Sequence, residues 1–360
     1  MLVPKAEELI ASPYRFDGNG DKAQQFFEDG LLRAFARMGE IAHREYPITV
    51  YYAFKQSESD TSGTASTGWE TMLEGLIRTD FQITGTWPLH TEMSSRMVGQ
   101  GTNALASSVV LVCRVRPEDA PLATRREFVA ALQRELPGAL RDLQRGNIAP
   151  VDLAQAAIGP GMAIYSRYRR VVEADGAPLR VRAALALINS SLDEYFSAQE
   201  GEFDPDTRWA LAWFEQYAFD EAEYGIAETL SKAKNTSVQG MVGAGILHAR
   251  AGKVRLLRRD ELPAGWQPES DQRLTVWEAT QHLIRTLDKQ GEVRAADLLA
   301  RLGALGGPAR DLAYRLYTLC ERKGWAAEAL PYNALVVAWS DVGRMAGEAA
   351  RRSPVQGRML

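Results

Sequence analysis

Histidine and cysteine are scarce in this chain. Its 360 residues hold four histidines and two cysteines. His43, His90, His248 and His282 have no metal-ligand spacing to one another or to the cysteines, so a zinc site made by this chain alone is not expected. Cys113 and Cys320 both sit in apolar runs, which predicts buried free thiols in a reducing compartment rather than a disulfide. No apolar run reaches the length of a bilayer span, so no membrane is expected among the partners. The opening "MLVPKAEELI" is charged and lacks the apolar stretch of a signal peptide, which points to a cytoplasmic protein. Positive charge is not in excess either: the net charge is −4, so any nucleic-acid surface has to be local. The sequence shows no nucleophile-elbow serine, P-loop, internal repeat or low-complexity tract.

What is present suits a globular protein of two or three modest domains, since 46% hydrophobic residues over this length give ample core. Phe27, Leu31, Phe35, Met38 and Ala42 recur at helical spacing, and Pro47 is expected to stop that helix. "ITVYYAF", from Ile48 to Phe54, is a near-continuous β-branched and aromatic run, the pattern of a strand buried on both faces. Trp69, Met72, Leu73, Leu76 and Ile77 predict an amphipathic helix. "QITGTW" and "SSVVLVC" then read as strands flanking a long polar loop over 88–106. A strand–helix–strand order implies a parallel pair, and a last strand reached without a helix most simply returns antiparallel.

Beyond Pro121 the chain turns helix-rich. "GPG" at Gly159–Gly161 follows a helix-like run and reads as a helix break. "DPDTRWALAWFEQYAF" opens with an aspartate cap. "IAETLSKAK" and "NTSVQGMVGAGIL" follow as two short helices, the latter capped by Thr236 or Ser237. "HARAGKVRLL" then reads as two strands about an Ala-Gly turn. Three helices followed by a basic hairpin make a winged helix-turn-helix. Thr275 and Glu278 form a capping-box pattern, and the remainder is helical.

The runs "YPITVYYAFKQSE", "GWETMLEGLIRTDFQITGTWPLHTEMSSRM" and "GTNALASSVVLVCR" are similar to a known family. So are "DLAQAAIGPGMAIYSRY", "FDPDTRWALAWFEQY", "ETLSKAKNTSVQGMV" and "LAYRLYTLCERKGWAAEALPYNALVVAWSD". Together they resemble the C-terminal part of the large, zinc-ribbon-containing adenine-specific DNA methylases linked to anti-phage defence. The resemblance implies an α/β plus α fold. It would be the C-terminal half of a Rossmann-like methyltransferase sheet, followed by a helical region with a winged helix-turn-helix. The segments expected are 1–118 for the sheet, 119–200 helical, 201–262 for the winged helix and 263–360 helical. The resemblance also places "SSVVLVC" between "ITVYYAF" and "QITGTW", leaving the outer edge of "ITVYYAF" open to a further strand.

In that family the glycine-rich cofactor motif and the Asp-Pro-Pro-Tyr type catalytic motif lie upstream of the matched region. Neither is found in this sequence; "SPY" at Ser12–Tyr14 has one proline and reads as a turn. The chain is therefore expected to bind no cofactor and to hold no catalytic residue by itself. S-adenosylmethionine is implied for the complete enzyme. The partners implied are DNA, the N-terminal methylase half or an upstream subunit, and other defence-system proteins. The alternative is a non-catalytic winged-helix DNA-binding or scaffold protein descended from such a methylase.

The candidate DNA-contacting residues follow. Lys55 ends a strand, and Arg96 and Asn103 stand in the long loop. Lys232, Lys234, Asn235, Ser237 and Gln239 surround the start of the third helix. Arg250, Lys253 and Arg255 decorate the wing. Cations, hydroxyls and amides of this kind position phosphates. The same groups also suit a solvated loop or a winged helix used to dock protein. Trp209, Trp213, Trp277, Trp325 and Trp339 lie in apolar runs and are expected in the core. The carboxylate pairs Asp193/Glu194 and Glu221/Glu223 read as solvated faces.

Overall fold

The computed structural model describes residues 8–53, 67–90 and 107–352. They form two compact units. The first gathers the described residues of 1–96, 104–143 and 154–193, and the second those of 144–153 and 194–360. The segments expected over 201–262 and 263–360 thus share one unit. Among the described residues, no helix is long and apolar enough to cross a membrane.

The first unit opens with α1 (Gly20–Ile41), where the Asn19 side chain accepts the Lys22 amide at 3.0 Å. The helix ends well before Pro47, which instead leads into β1 (Ile48–Ala53). Next come α2 (Thr67–Arg78), β2 (Phe81–His90) and β3 (Ser107–Val115). β3 lies between β1 and β2 and is antiparallel to both. β1 and β2 therefore run parallel, as a strand–helix–strand crossover requires.

One face of this sheet buries Phe81, Ile83, Val109, Leu111 and Cys113, and α2 contributes buried Trp69, Met72, Leu73 and Leu76. The Tyr52 and Trp69 rings stand 5.2 Å apart. The other face differs from the expectation for "ITVYYAF". Tyr51 and Trp87 share a cross-strand row with Val110, and they are 68% and 65% exposed. β1 is thus covered on one face only, because the side chains that point away from α2 meet no comparable layer among the described residues.

The chain continues through β4 (Leu122–Thr124), α3 (Arg125–Arg145), α4 (Pro150–Ser166), β5 (Arg170–Val172) and α5 (Val181–Glu200). β4 and β5 form a short parallel pair that no sequence pattern announced. α4 runs straight through Gly159-Pro160-Gly161, so these residues are not a helix break. They provide clearance instead. A Cβ on Gly159 would lie 1.7 Å from Thr86 Oγ1, and one on Gly161 would lie 2.6 Å from Ile188. At its end, Ser166 Oγ accepts the Ile83 amide at 2.9 Å, where the β2–β3 register shifts. A side chain there replaces a ladder bond at a bulge.

The second unit begins with α6 (Pro205–Tyr217), capped as expected by Asp204, which accepts the Thr207 amide at 2.8 Å. Then come β6 (Ala222–Glu223), α7 (Tyr224–Lys234), α8 (Val238–Gly243), β7 (Leu247–Arg250) and β8 (Lys253–Leu256). The three strands form an antiparallel sheet of order β6-β8-β7. β6 has only two residues, too few to leave a periodic pattern. The remainder is α9 (Val276–Leu302), α10 (Gly306–Lys323), α11 (Ala326–Val337) and α12 (Trp339–Arg352). α9 is broken at Gly291, whose φ of 80° and ψ of 179° lie outside the helical region. Phe214 of α6 makes edge contacts with Trp277, Trp325 and Tyr332, so α6 shares one aromatic core with the C-terminal helices. Trp209 and Trp213 are fully buried and stacked, 4.9 Å apart.

Gly159→Ala forces a methyl group into Thr86. Overpacking of this kind costs about 1–3 kcal/mol. Urea unfolding should show that loss in the variant, and Thr86→Ala in the same chain should recover part of it.

Candidate nucleic-acid interface

The stretch "SKAKNTSVQG" makes the turn between α7 and α8. α7 stops because Asn235 takes a left-handed conformation, φ 59° and ψ 47°, one that asparagine tolerates better than most residues. Ser237 is extended and its hydroxyl accepts the Gly240 amide at 3.1 Å, which starts α8. Both residues therefore have a local structural task as well as a surface position. Trp209 Nε1 donates to the Ala227 carbonyl at 3.2 Å and holds α6 against α7. Thr236 is not free for a ligand. Its hydroxyl bonds buried Asp206, which also receives Arg273 through two bonds of 2.6 and 3.0 Å. A Cβ on Gly240 would stand 2.4 Å from Arg273 Nη1, so a larger residue there would shift that guanidinium.

The hairpin forms as its Ala-Gly turn suggests. Ala251 and Gly252 have φ of 50° and 76°, the two positive values of a primed turn. Of its three cations, two are already engaged. Lys253 pairs with Glu223 of the neighbouring β6. Arg255 is held by Glu261 through two bonds of 2.6 and 2.7 Å. The fork raises the pKa of Arg255 and lowers that of Glu261 to about 2. Lys232 stands 3.6 Å from Glu228 on α7. Arg250, which is exposed, and half-buried Lys234 make no salt bridge with a described residue. Gln239 is exposed on α8. The fold thus brings Lys232, Lys234, Asn235, Ser237 and Gln239 to α7, α8 and the turn between them, and Arg250, Lys253 and Arg255 to one hairpin. Lys55, Arg96, Asn103 and the loop beyond His90 lie outside the described residues.

Residues 204–359 match the family model of a domain of unknown function, DUF8807. The match opens on Asp204, the cap of α6, and takes in every described element from α6 to α12. No curated protein and no solved structure matches the chain.

A second cluster shows in the sequence only as the Thr275 cap. Thr275 does accept the Glu278 amide at 3.2 Å, but the Glu278 carboxyl bonds the Thr275 hydroxyl at 3.1 Å and is buried. Its Oε1 has no partner among the described residues. Burial, followed by Asp271, pushes its pKa up to about 8. One helical turn on, His282 stacks on Trp266 at 4.0 Å, with Nε2 buried and unpartnered. Burial, followed by Arg285, pulls its pKa down to about 4. The i, i+4 spacing of Glu278 and His282 was visible in the sequence; their burial was not. Among the described residues, no group of His, Cys, Asp and Glu side chains gathers as a metal site.

These shifts set opposite slopes. Glu278 favours the fold as a neutral acid, so its contribution is present below its ordinary pKa of 4.5 and is lost as pH rises through about 8. His282 favours the fold as a neutral base, so its contribution is present above 6.5 and is lost as pH falls through about 4. Denaturant unfolding across pH should therefore show stability declining toward mild base. Glu278→Gln should flatten that limb and leave the acid limb, which His282→Phe should flatten in turn.

Proposed function

We propose that the second unit engages DNA through the α7–α8 turn and the β7–β8 hairpin, as a winged helix-turn-helix. The observation that carries this reading is the order α6, β6, α7, α8, β7, β8 with a sheet of order β6-β8-β7. That order is the one a helix–turn–helix with a two-stranded wing would have. Lys234 and Arg250 are the cations open to phosphate, and the surface pair Lys253–Glu223 can exchange its carboxylate for a phosphate at little cost.

The first unit supplies the closing strands of a Rossmann-like methyltransferase sheet, in an enzyme that methylates adenine N6 in phage defence or restriction-modification. Its support is the order β1-β3-β2 with α2 as the crossover, together with the resemblance of the sequence. β1 pairs only with β3 among the described strands, and Tyr51 and Trp87 remain exposed beside it, which suits a sheet that continues. Methyl transfer to a flipped adenine needs S-adenosylmethionine and a catalytic motif, and these residues supply neither. A polypeptide carrying both motifs is the partner required.

A second reading is a winged helix that docks protein, and it too has an observation in its favour. Lys232, Lys253 and Arg255 already face carboxylates of the same unit.

Salt dependence separates the two. Binding to duplex DNA should weaken with salt, and Arg250→Ala and Lys234→Ala should each reduce the slope by roughly one. Glu223→Gln, which releases Lys253, should tighten binding. An unchanged slope in all three variants favours docking. For the first unit, adenine methylation should appear only when this chain is mixed with a polypeptide bearing the cofactor and Asp-Pro-Pro-Tyr type motifs. Activity of that polypeptide unaltered by this chain overturns the reading.

A further inference from the structure

Arg116 follows β3 and is only 5% exposed. Its guanidinium is held by backbone carbonyls. Nη1 donates to Tyr168 and Arg169, both at 3.0 Å. Nη2 donates to Ile77 at 2.8 Å and Phe81 at 3.2 Å. The Nε–H is shielded from solvent and has no acceptor among the described residues. No carboxylate bonds this cation, and Asp80 acts on it only through space. The carbonyl dipoles, Ile77 at the end of α2 among them, supply only partial countercharge. A buried charge is ordinarily paired, and burial accordingly lowers the pKa of this guanidinium.

Arg116 lines a cleft of about 420 Å³ in the first unit. Arg78, Arg169, Arg170 and Arg180 line it too, all exposed, and none makes a salt bridge with a described residue. Its acidic side chains are Glu74 and Asp80. Glu74 already accepts the Val181 amide at 3.4 Å. Five arginines thus line the cleft, from the end of α2, the end of β3, the start of β5 and the approach to α5. Such a concentration of like charge is unfavourable until an anion enters it.

We propose that this cleft binds a small anion bearing two or more phosphate groups, with the exposed arginine forks as its donors and the buried Arg116 charge behind them. The planar fork of arginine matches phosphate oxygens. The volume lies within the range of small-ligand sites and exceeds what one phosphate fills. The cleft sits where β2 begins and β3 ends, at the opposite end of these strands from His90 and Ser107. The α7–α8 turn and the hairpin belong to the second unit.

Titration calorimetry of the full chain with inorganic pyrophosphate, at constant ionic strength and with sulfate as the control anion, tests this. Pyrophosphate should bind saturably and sulfate far more weakly. Arg169→Ala and Arg180→Ala, at exposed positions, should each weaken binding about tenfold, the effect of one charged hydrogen bond. Glu74→Gln should tighten it, and Arg250→Ala in the other unit should leave it unchanged. Absence of saturable binding, or equal affinity in wild type and both arginine variants, overturns the proposal. Competition identifies the source of the phosphates. Displacement of pyrophosphate by adenosine triphosphate supports a free nucleotide, displacement by a short duplex supports the DNA backbone, and displacement by neither overturns the proposal.

Discussion

The second unit depends on the first turn of α6. Asp204 caps that helix and also accepts the Thr207 hydroxyl and the Val276 amide. Thr207 Oγ1 accepts the Trp277 amide, so the starts of α6 and α9 share one set of hydrogen bonds. Asp206, 5% exposed, joins Thr236 of the α7–α8 turn to Arg273. A buried carboxylate that loses such partners is costly, because its charge cannot reach water. Asp204, Asp206 and Thr207 thereby tie α6 to the α7–α8 turn, to Arg273 and to the start of α9. The match of a single family model from Asp204 onward agrees with that integration.

Close approach of backbone to side chain shapes the first unit. α2 packs its apolar stripe on one face of the sheet, as its periodicity requires. α4 gets close enough to touch Thr86 only because Gly159 has no side chain, and Gly161 does the same toward Ile188. The run that looked like a helix break is therefore a clearance device inside a helix. Glycine reads the same way in sequence whether it supplies conformational freedom or empty space.

Electrostatics divides the two candidate surfaces. Around α7, α8 and the hairpin, cations and carboxylates alternate closely enough to pair, as Lys253 with Glu223 and Arg255 with Glu261 show. Counting basic residues along the chain overstates the field there, because β6 and the segment after β8 bring acids to the same place. Around Arg116 the opposite holds. Apart from the adjacent Arg169 and Arg170 those arginines are far apart in the sequence, and folding gathers five of them with two acids, Glu74 and Asp80.

Local pattern alone determined the β1–α2–β2 crossover, the Asp204 cap, the Ala251-Gly252 hairpin and the burial of Trp209, Trp213, Trp277 and Trp339, whereas Trp325 is half-buried. Each follows from contacts within a few residues or from the period of one helix or strand, so each is legible in the linear chain. Tertiary structure decided the rest. The two-residue β6 and the short parallel β4–β5 pair exist because a partner strand is present, not because of their own propensity. The exposed face of β1 depends on which side α2 covers. The raised Glu278 and lowered His282 depend on burial. Which cations remain unpaired depends on the acids that distant segments deliver. Desolvation and ion pairing act through space, so residue order carries no direct record of them.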